Sequence, residues 1–367
     1  MTDPRTDVPA PSIGFLGDVG VSPRGLMDLA HEAETAGFAG AWMVEYEYDS
    51  FAFDQALLMA TERITVGSCI ARYFAREPLL TAETAAVLDL LAPGRFAIGL
   101  GSGPMKRAHA KGGQQRWGGD PTRTVARMSE YLDVVRRALT DRGERLSYEG
   151  EFFSFADVKL RVRPQGDVPI WLSAGGPKMA RVAGRRAEGV FVHMVDEAGT
   201  RSTLEHARAG ASEAGRDPDA LLVGNLVPTC VADDGDAARE ALRAYLVDYY
   251  FHLPHYHRMI AELGFEETAN ALRAIGHRGD TKRDPAGILA EPAARAAAEA
   301  VPREVLDRLF IVGTPEECRA RYEAIAGWGT DVPILYVFPA DGDWAAGYRA
   351  AIAAFSADGR RTEGNEA

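Results

Sequence analysis

The feature that most constrains this chain is a rhythm. Short, almost wholly apolar runs alternate with longer segments whose apolar residues recur at helical spacing. The runs occupy residues 13–16, 39–44, 64–67, 96–100, 170–173, 190–193, 222–227 and 334–338. Because they do not alternate polar with apolar, they read as strands covered on both faces. A repeated strand-then-helix order implies a parallel sheet, and eight such units imply a closed (β/α)8 barrel, a TIM barrel with insertions, rather than a doubly wound open sheet. No unit carries a full dinucleotide fingerprint, which favours the barrel. Helix punctuation agrees: Ser22 reads as an N-cap, Pro23 as the first helical residue and Gly37 as a stop.

Two stretches break the rhythm within what reads as one domain spanning 1–367. Residues 144–163 alternate at period two around Tyr148-Glu149-Gly150, the pattern of an inserted β-hairpin. Residues 249–301 carry helical pieces between Pro254, Pro285 and Pro292, and read as an inserted helical segment over the barrel mouth.

Charge narrows the partners. With 41 basic against 53 acidic residues the net charge is −12, and no basic stretch offsets it, so neither nucleic acid nor an anionic membrane is an expected partner. Cys69, Cys230 and Cys318 lie far apart, which argues against a disulfide framework or a zinc site; no metal is expected. The first residues are polar and proline-rich, without the apolar stretch of a signal peptide, and the expected location is cytoplasmic.

Functional groups of a barrel gather where its strands end. After the fifth run, Ser173-Ala174-Gly175-Gly176-Pro177-Lys178 opens a helix. Its glycines admit close approach, its helix start offers free N–H groups to a phosphate, and Lys178 and Arg181 add charge. The fourth run ends in Gly99-Leu100-Gly101-Ser102-Gly103-Pro104, weak as a nucleotide loop but suited to lying flat against a planar ring, through Gly101 and Ser102. Acids and aromatics crowd the end of the second run, where Glu45 and Tyr46 are candidates for hydrogen bonding or proton transfer. His193 ends the sixth run and is a third candidate. A mouth lined by Trp42, Tyr46, Phe74, Tyr250 and Phe251 points to a modest-sized organic substrate.

Seven fragments in order then carry a resemblance: AGFAGAWMVE (36–45), ERITVGSCIA (62–71), TAAVLDLLAPGRFAIGLGSG (84–103), RMSEYLDVVRRAL (127–139), YEGEFFSF (148–155), VPIWLSAGGPKMARVAGRRAEGVF (168–191) and IVGTPEECRARYEAI (311–325). Together the chain resembles the bacterial-luciferase-like superfamily of flavin- and deazaflavin-dependent oxidoreductases. The resemblance implies a phosphate site at Gly175 and Gly176, and a non-proline cis peptide within Ser68–Ile70, at Cys69–Ile70, against the cofactor ring. It implies coenzyme F-420, used for hydride transfer with a small organic substrate, with an FMN-dependent monooxygenase served by a flavin reductase as the alternative. A barrel that only binds flavin is a third reading. Homo-oligomers are implied as well. Where many relatives place an acid followed by histidine, this chain has Glu45 followed by Tyr46.

Overall fold

The structure is a computed structural model, and it describes residues 8–45, 48–103, 123–141, 143–279 and 284–357. Its strands are β1 (Ser12–Leu16), β2 (Gly40–Val44), β3 (Thr65–Ser68), β4 (Ala71–Arg72), β5 (Phe96–Gly101), β6 (Leu146–Glu149), β7 (Ser154–Val158), β8 (Ile170–Ser173), β9 (Gly189–His193), β10 (Leu222–Val231), β11 (Ile311–Gly313) and β12 (Val332–Val337). Among the described residues, β1, β2, β3, β5, β8, β9, β10 and β12 pair in parallel in that order, and β12 returns to pair with β1. The sheet is therefore a closed eight-stranded barrel with helices outside it, and each apolar run of the sequence falls on one of its strands. Short β4 and β11 add to β5 and β10.

The barrel interior is filled by three rings. Trp171 stacks on Phe191 at 4.9 Å, and Trp42 meets both edge-on, at 5.8 Å and 5.3 Å. Rings this large fit only because the strands beside them carry no side chain. A Cβ on Gly189 would lie 2.1 Å from Trp171, one on Gly224 2.4 Å from Phe191, and one on Gly67 2.8 Å from Trp42. Glycine inside a strand is otherwise weakening, so these positions mark close packing. Trp42 was expected among the aromatics of the mouth. Instead it is core, 1% exposed, because its indole fills the space that Gly40 and Gly67 leave.

The end of the barrel where strands begin is held by carboxylates that bind backbone. Glu34 accepts from the amides of Glu62, Arg63 and Ile64 ahead of β3. Asp89 accepts from Gly94 ahead of β5, and from Gln165 and Gly166 ahead of β8. Glu188 accepts from Ile170. Each satisfies amides that a loop would otherwise leave unpaired.

Between β5 and β8, β6 and β7 form an antiparallel pair whose turn is docked by Glu130, which accepts from Glu151, Phe152 and Phe153. Between β10 and β11 lie the helices Pro254–Glu262, Glu266–Ile275, Pro285–Leu289, Pro292–Glu299 and Arg303–Leu309. No helix of the described residues is long and apolar enough to cross a membrane.

The tightest contact in the barrel wall gives a direct test. A Cβ on Gly99 would stand 1.7 Å from the Ser68 carbonyl oxygen, whereas one on Gly166 would meet nothing within 4 Å. Gly99→Ala is expected to cost about 1–3 kcal/mol in urea unfolding, while Gly166→Ala should stay within about 0.5 kcal/mol of the parent. Equal stabilities would show that the β3–β5 contact is looser than described.

Candidate active site

The strand ends β3, β5 and β8 meet at one place. The Cys69–Ile70 peptide just after β3 is cis. Ser68 is locked beneath it: its hydroxyl donates to the Gly99 carbonyl at 3.1 Å and accepts from the Gly99 amide at 3.3 Å. Its side chain is thus committed to the wall, and the whole residue is buried. Gly101 lies between Ile70 and Ser173, since a Cβ there would sit 2.8 Å from Ile70 Cγ1 and 3.2 Å from Ser173 Cβ. Ile70, Gly101 and Ser173 thereby adjoin in one platform, continued along the chain by Ser102, with Gly101 buried and the other three partly open. Cys69 is 3% exposed, and burial pushes its thiol far up, so it offers surface rather than a thiolate.

Beside this platform the chain turns through Ala174, Gly175 and Gly176 into the helix Pro177–Arg186. A side-chain carbon built on either glycine would meet nothing within 4 Å. No side chain caps this helix, although helices following β1, β3, β9, β10 and β12 are capped by Ser22, Glu77, Asp196, Asp234 and Asp343. Met179 and Ala180 donate to the Gly176 carbonyl, whereas the N–H groups of Gly175, Gly176 and Lys178 have no acceptor among the described residues and are open to an anion. Lys178 is exposed there and has no ion pair among the described residues. Arg181, expected to add charge, is instead spent on Glu213.

Glu45 ends β2 with its side chain 3% exposed. Its carboxylate accepts from Ser50 Oγ at 2.9 Å, Arg72 Nε at 2.9 Å and Arg76 Nη2 at 2.7 Å. Burial raises its pKa, but the charge of Arg76 and the hydrogen bonds from Arg76, Arg72 and Ser50 outweigh burial, so it titrates below the usual range. A carboxylate so held is an anchor for two arginines. Arg76 bridges onward to Asp49 at 2.6 Å. Asp54, wholly buried one turn into the next helix, has no hydrogen-bond partner among the described residues, and burial pushes its carboxyl well up. Tyr46 lies outside the described residues.

His193 ends β9, the strand next to β8 on the rim. Its Nδ1 lies 2.7 Å from the Leu226 carbonyl, and its ring packs against Tyr250 at 5.2 Å and Tyr336 at 6.4 Å. Burial lowers its pKa to about 4; the Leu226 bond opposes this, and His255 adds to it. Phe251, expected at the mouth, is core at 1% exposure.

The structure thus assembles Ile70, Gly101, Ser102, Ser173 and the glycine pair, and sets Glu45 and His193 on either side. Reading the sequence missed Arg72 and Arg76. Their pairing with Glu45 spans 27 and 31 positions, and no local pattern encodes it. It also missed Tyr336, which is indistinguishable by sequence from the other apolar residues of its strand.

A sequence model of luciferase-like monooxygenases matches residues 8–331. A 5,10-methylenetetrahydromethanopterin reductase of Archaeoglobus fulgidus is 27% identical over 81% of this chain and 84% of its own. A phthiodiolone/phenolphthiodiolone dimycocerosates ketoreductase of Mycobacterium kansasii is 30% identical over 73% of this chain and 70% of its own. Among solved structures, the coenzyme F420-dependent tetrahydromethanopterin reductase of Methanopyrus kandleri superposes with a TM-score of 0.71 at 22% identity, covering 94% of this chain and 98% of that one. A monooxygenase of Streptomyces bottropensis gives 0.62 at 22% identity, covering 94% and 97%.

Two measurements probe the rim. Glu45→Gln leaves Arg72 and Arg76 without a buried counter-charge and should cost about 1–3 kcal/mol in denaturant unfolding; a neutral effect would mean that the arginines are solvated. The carbon-bound protons of His193, followed by NMR against pH, should show an imidazole still neutral at about pH 5.5, with a midpoint near the 4 that burial dictates. A midpoint at the ordinary 6.5 would place His193 in water.

Proposed function

This chain belongs to the luciferase-like monooxygenase family of oxidoreductases, and within it we propose that the chain transfers hydride between deazaflavin coenzyme F-420 and a small organic substrate. The observation that carries the reading is the platform with its phosphate cradle: a flat ledge of Cys69, Ile70, Gly101 and Ser102 continuous with an uncapped helix start at Gly175 and Gly176. A planar ring carrying a phosphorylated side chain fits both parts at once. The two curated relatives named above are a reductase and a ketoreductase, which favours hydride chemistry over oxygen chemistry.

In this reading the segment Ser173, Ala174, Gly175, Gly176, Pro177 and Lys178 holds the phosphate, through the backbone N–H groups of Gly175, Gly176 and Lys178 and the Lys178 ammonium, while Ala174 ties the turn to Phe191 and Pro177 opens the helix. Open space at both glycines lets the phosphate lie directly on the backbone. On an acidic protein that site has to be local, and the acid caps of neighbouring helices would repel what this one accepts. Ile70 and Gly101 bear the ring plane, and Ser68 keeps the ledge rigid through Gly99. Bound there, a deazaflavin supplies a carbon that gives or takes hydride without engaging oxygen. Glu45, kept ionised, orients Arg72 and Arg76 at the rim rather than moving a proton, and Tyr46, the next residue in the chain, is the one we assign to the substrate. FMN, with dioxygen as co-substrate and a reductase as partner, is the competing occupant of the same ledge.

Titration of purified protein with F-420 and with FMN, each oxidised and reduced and followed by fluorescence, tests this directly. Tight binding of F-420 alone is expected. Tight binding of reduced FMN alone would make the protein an oxygenase, and binding of neither would overturn the cofactor assignment. Gly176→Val should fold as the parent does, because its side chain points into open space, and should weaken cofactor binding at least about tenfold by displacing the phosphate. Unchanged affinity would remove Gly176 from the site.

A further inference from the structure

The strand end beside the platform carries an unspent hydrogen-bond acceptor. Leu226 presents a carbonyl to His193 Nδ1 at 2.7 Å, and a carbonyl only accepts, so Nδ1 holds the proton of the neutral ring. Nε2 is then left with a lone pair. That atom is buried and has no hydrogen-bond partner among the described residues. Buried polar atoms are nearly always paired, and those left open mark places where something else binds.

The surroundings define what can bind there. Tyr250 and Tyr336 flank the imidazole, and their hydroxyls share a hydrogen bond with each other. Burial pushes the Tyr336 hydroxyl well up, so it stays protonated. His193 itself remains neutral through the physiological range, so the acceptor does not titrate away. Aromatic faces around an imidazole acceptor with no partner among the described residues suit an apolar molecule carrying a single O–H. A ketone offers only lone pairs and would meet the Nε2 lone pair without a proton between them.

We propose that His193 Nε2 receives the hydroxyl of an alcohol substrate, so that the site binds the alcohol of an alcohol–ketone pair in preference to the ketone. The proposal rests on the oxidoreductase reading of this site for its relevance to turnover, but its geometry belongs to the protein alone. It makes His193 a specificity-determining residue: its tautomer, fixed by Leu226 from the neighbouring strand, sets which oxidation state is retained.

The test is NMR of protein labelled with 15N in histidine, with and without F-420, using His193→Phe to assign His193 among the 8 histidines. The probes are 2-propanol, cyclohexanol and 1-phenylethanol, each with its ketone. Expected is a neutral ring protonated on Nδ1, an Nε2 resonance that moves towards its hydrogen-bonded value with at least one alcohol but not with the matching ketone, and about tenfold tighter binding of that alcohol. In His193→Phe, which keeps the ring packing, the preference should collapse to within about twofold. Protonation on Nε2, equal binding of both partners, no response to any alcohol, or a preference that survives in His193→Phe each overturns the proposal. If the tautomer and the alcohol preference hold while F-420 fails to bind, the cofactor assignment falls and the role of His193 stands.

Discussion

Everything above the centre of this barrel rests on three rings packed inside it. Trp42, Trp171 and Phe191 close the interior, and the strand glycines exist to make room for them. The same packing reaches the working end through Gly99. A Cβ there would collide with the Ser68 carbonyl and also lie 3.0 Å from Phe191. One missing side chain therefore seats the β3 end on the aromatic floor, and the ledge of Cys69 and Ile70 inherits its height from that seating. Shape is set here by what is absent, because close-packed interiors pass a displacement on rather than absorb it.

Charge at the rim follows a second logic. Glu45 is buried, yet three donors surround its carboxylate, and Arg76 links it to Asp49 in turn. Two nearby acids shift in opposite directions: Glu45 is pulled below the usual range because its attractions exceed the cost of burial, while Asp54, with no hydrogen-bond partner among the described residues, is pushed well up by burial, which Arg76 opposes and Asp49 and Glu45 reinforce. A charged group in such a place is stable only while its partners remain, so the cluster acts as one rigid unit. That rigidity is what an anchor needs and what a proton carrier must lack.

The barrel was legible because its signal is physical and local. Strands covered on both faces must be apolar throughout, and eight such runs between helices admit few other arrangements. The Gly-Gly-Pro turn was equally plain, since backbone exposed at a helix start needs residues of just those types. What stayed hidden was decided by contacts distant in the chain. Nothing near Trp42 says that it points inwards beside Gly67; nothing near Ser68 says that its hydroxyl is consumed by Gly99, 31 positions on. His193 was visible as a strand-end residue, but its tautomer comes from Leu226, 33 positions away on the next strand.

The two ends of the barrel differ in how completely their hydrogen bonds are used, and that difference identifies the working face from the physics of the molecule. Where the strands begin, Glu34, Asp89 and Glu188 are spent on loop amides, and stability is the return. Where the strands end, among the described residues, the helix start after Gly176 has no side-chain cap and His193 Nε2 has no donor. Folding alone would favour closing both, since an acid at position 176 or a serine within reach of the imidazole would satisfy them. They lie at the ends of two neighbouring strands, β8 and β9, one offering donors to an anion and the other an acceptor to a hydroxyl. A cofactor and a substrate bound to those groups would sit side by side at one mouth, and such proximity is what hydride transfer between them requires.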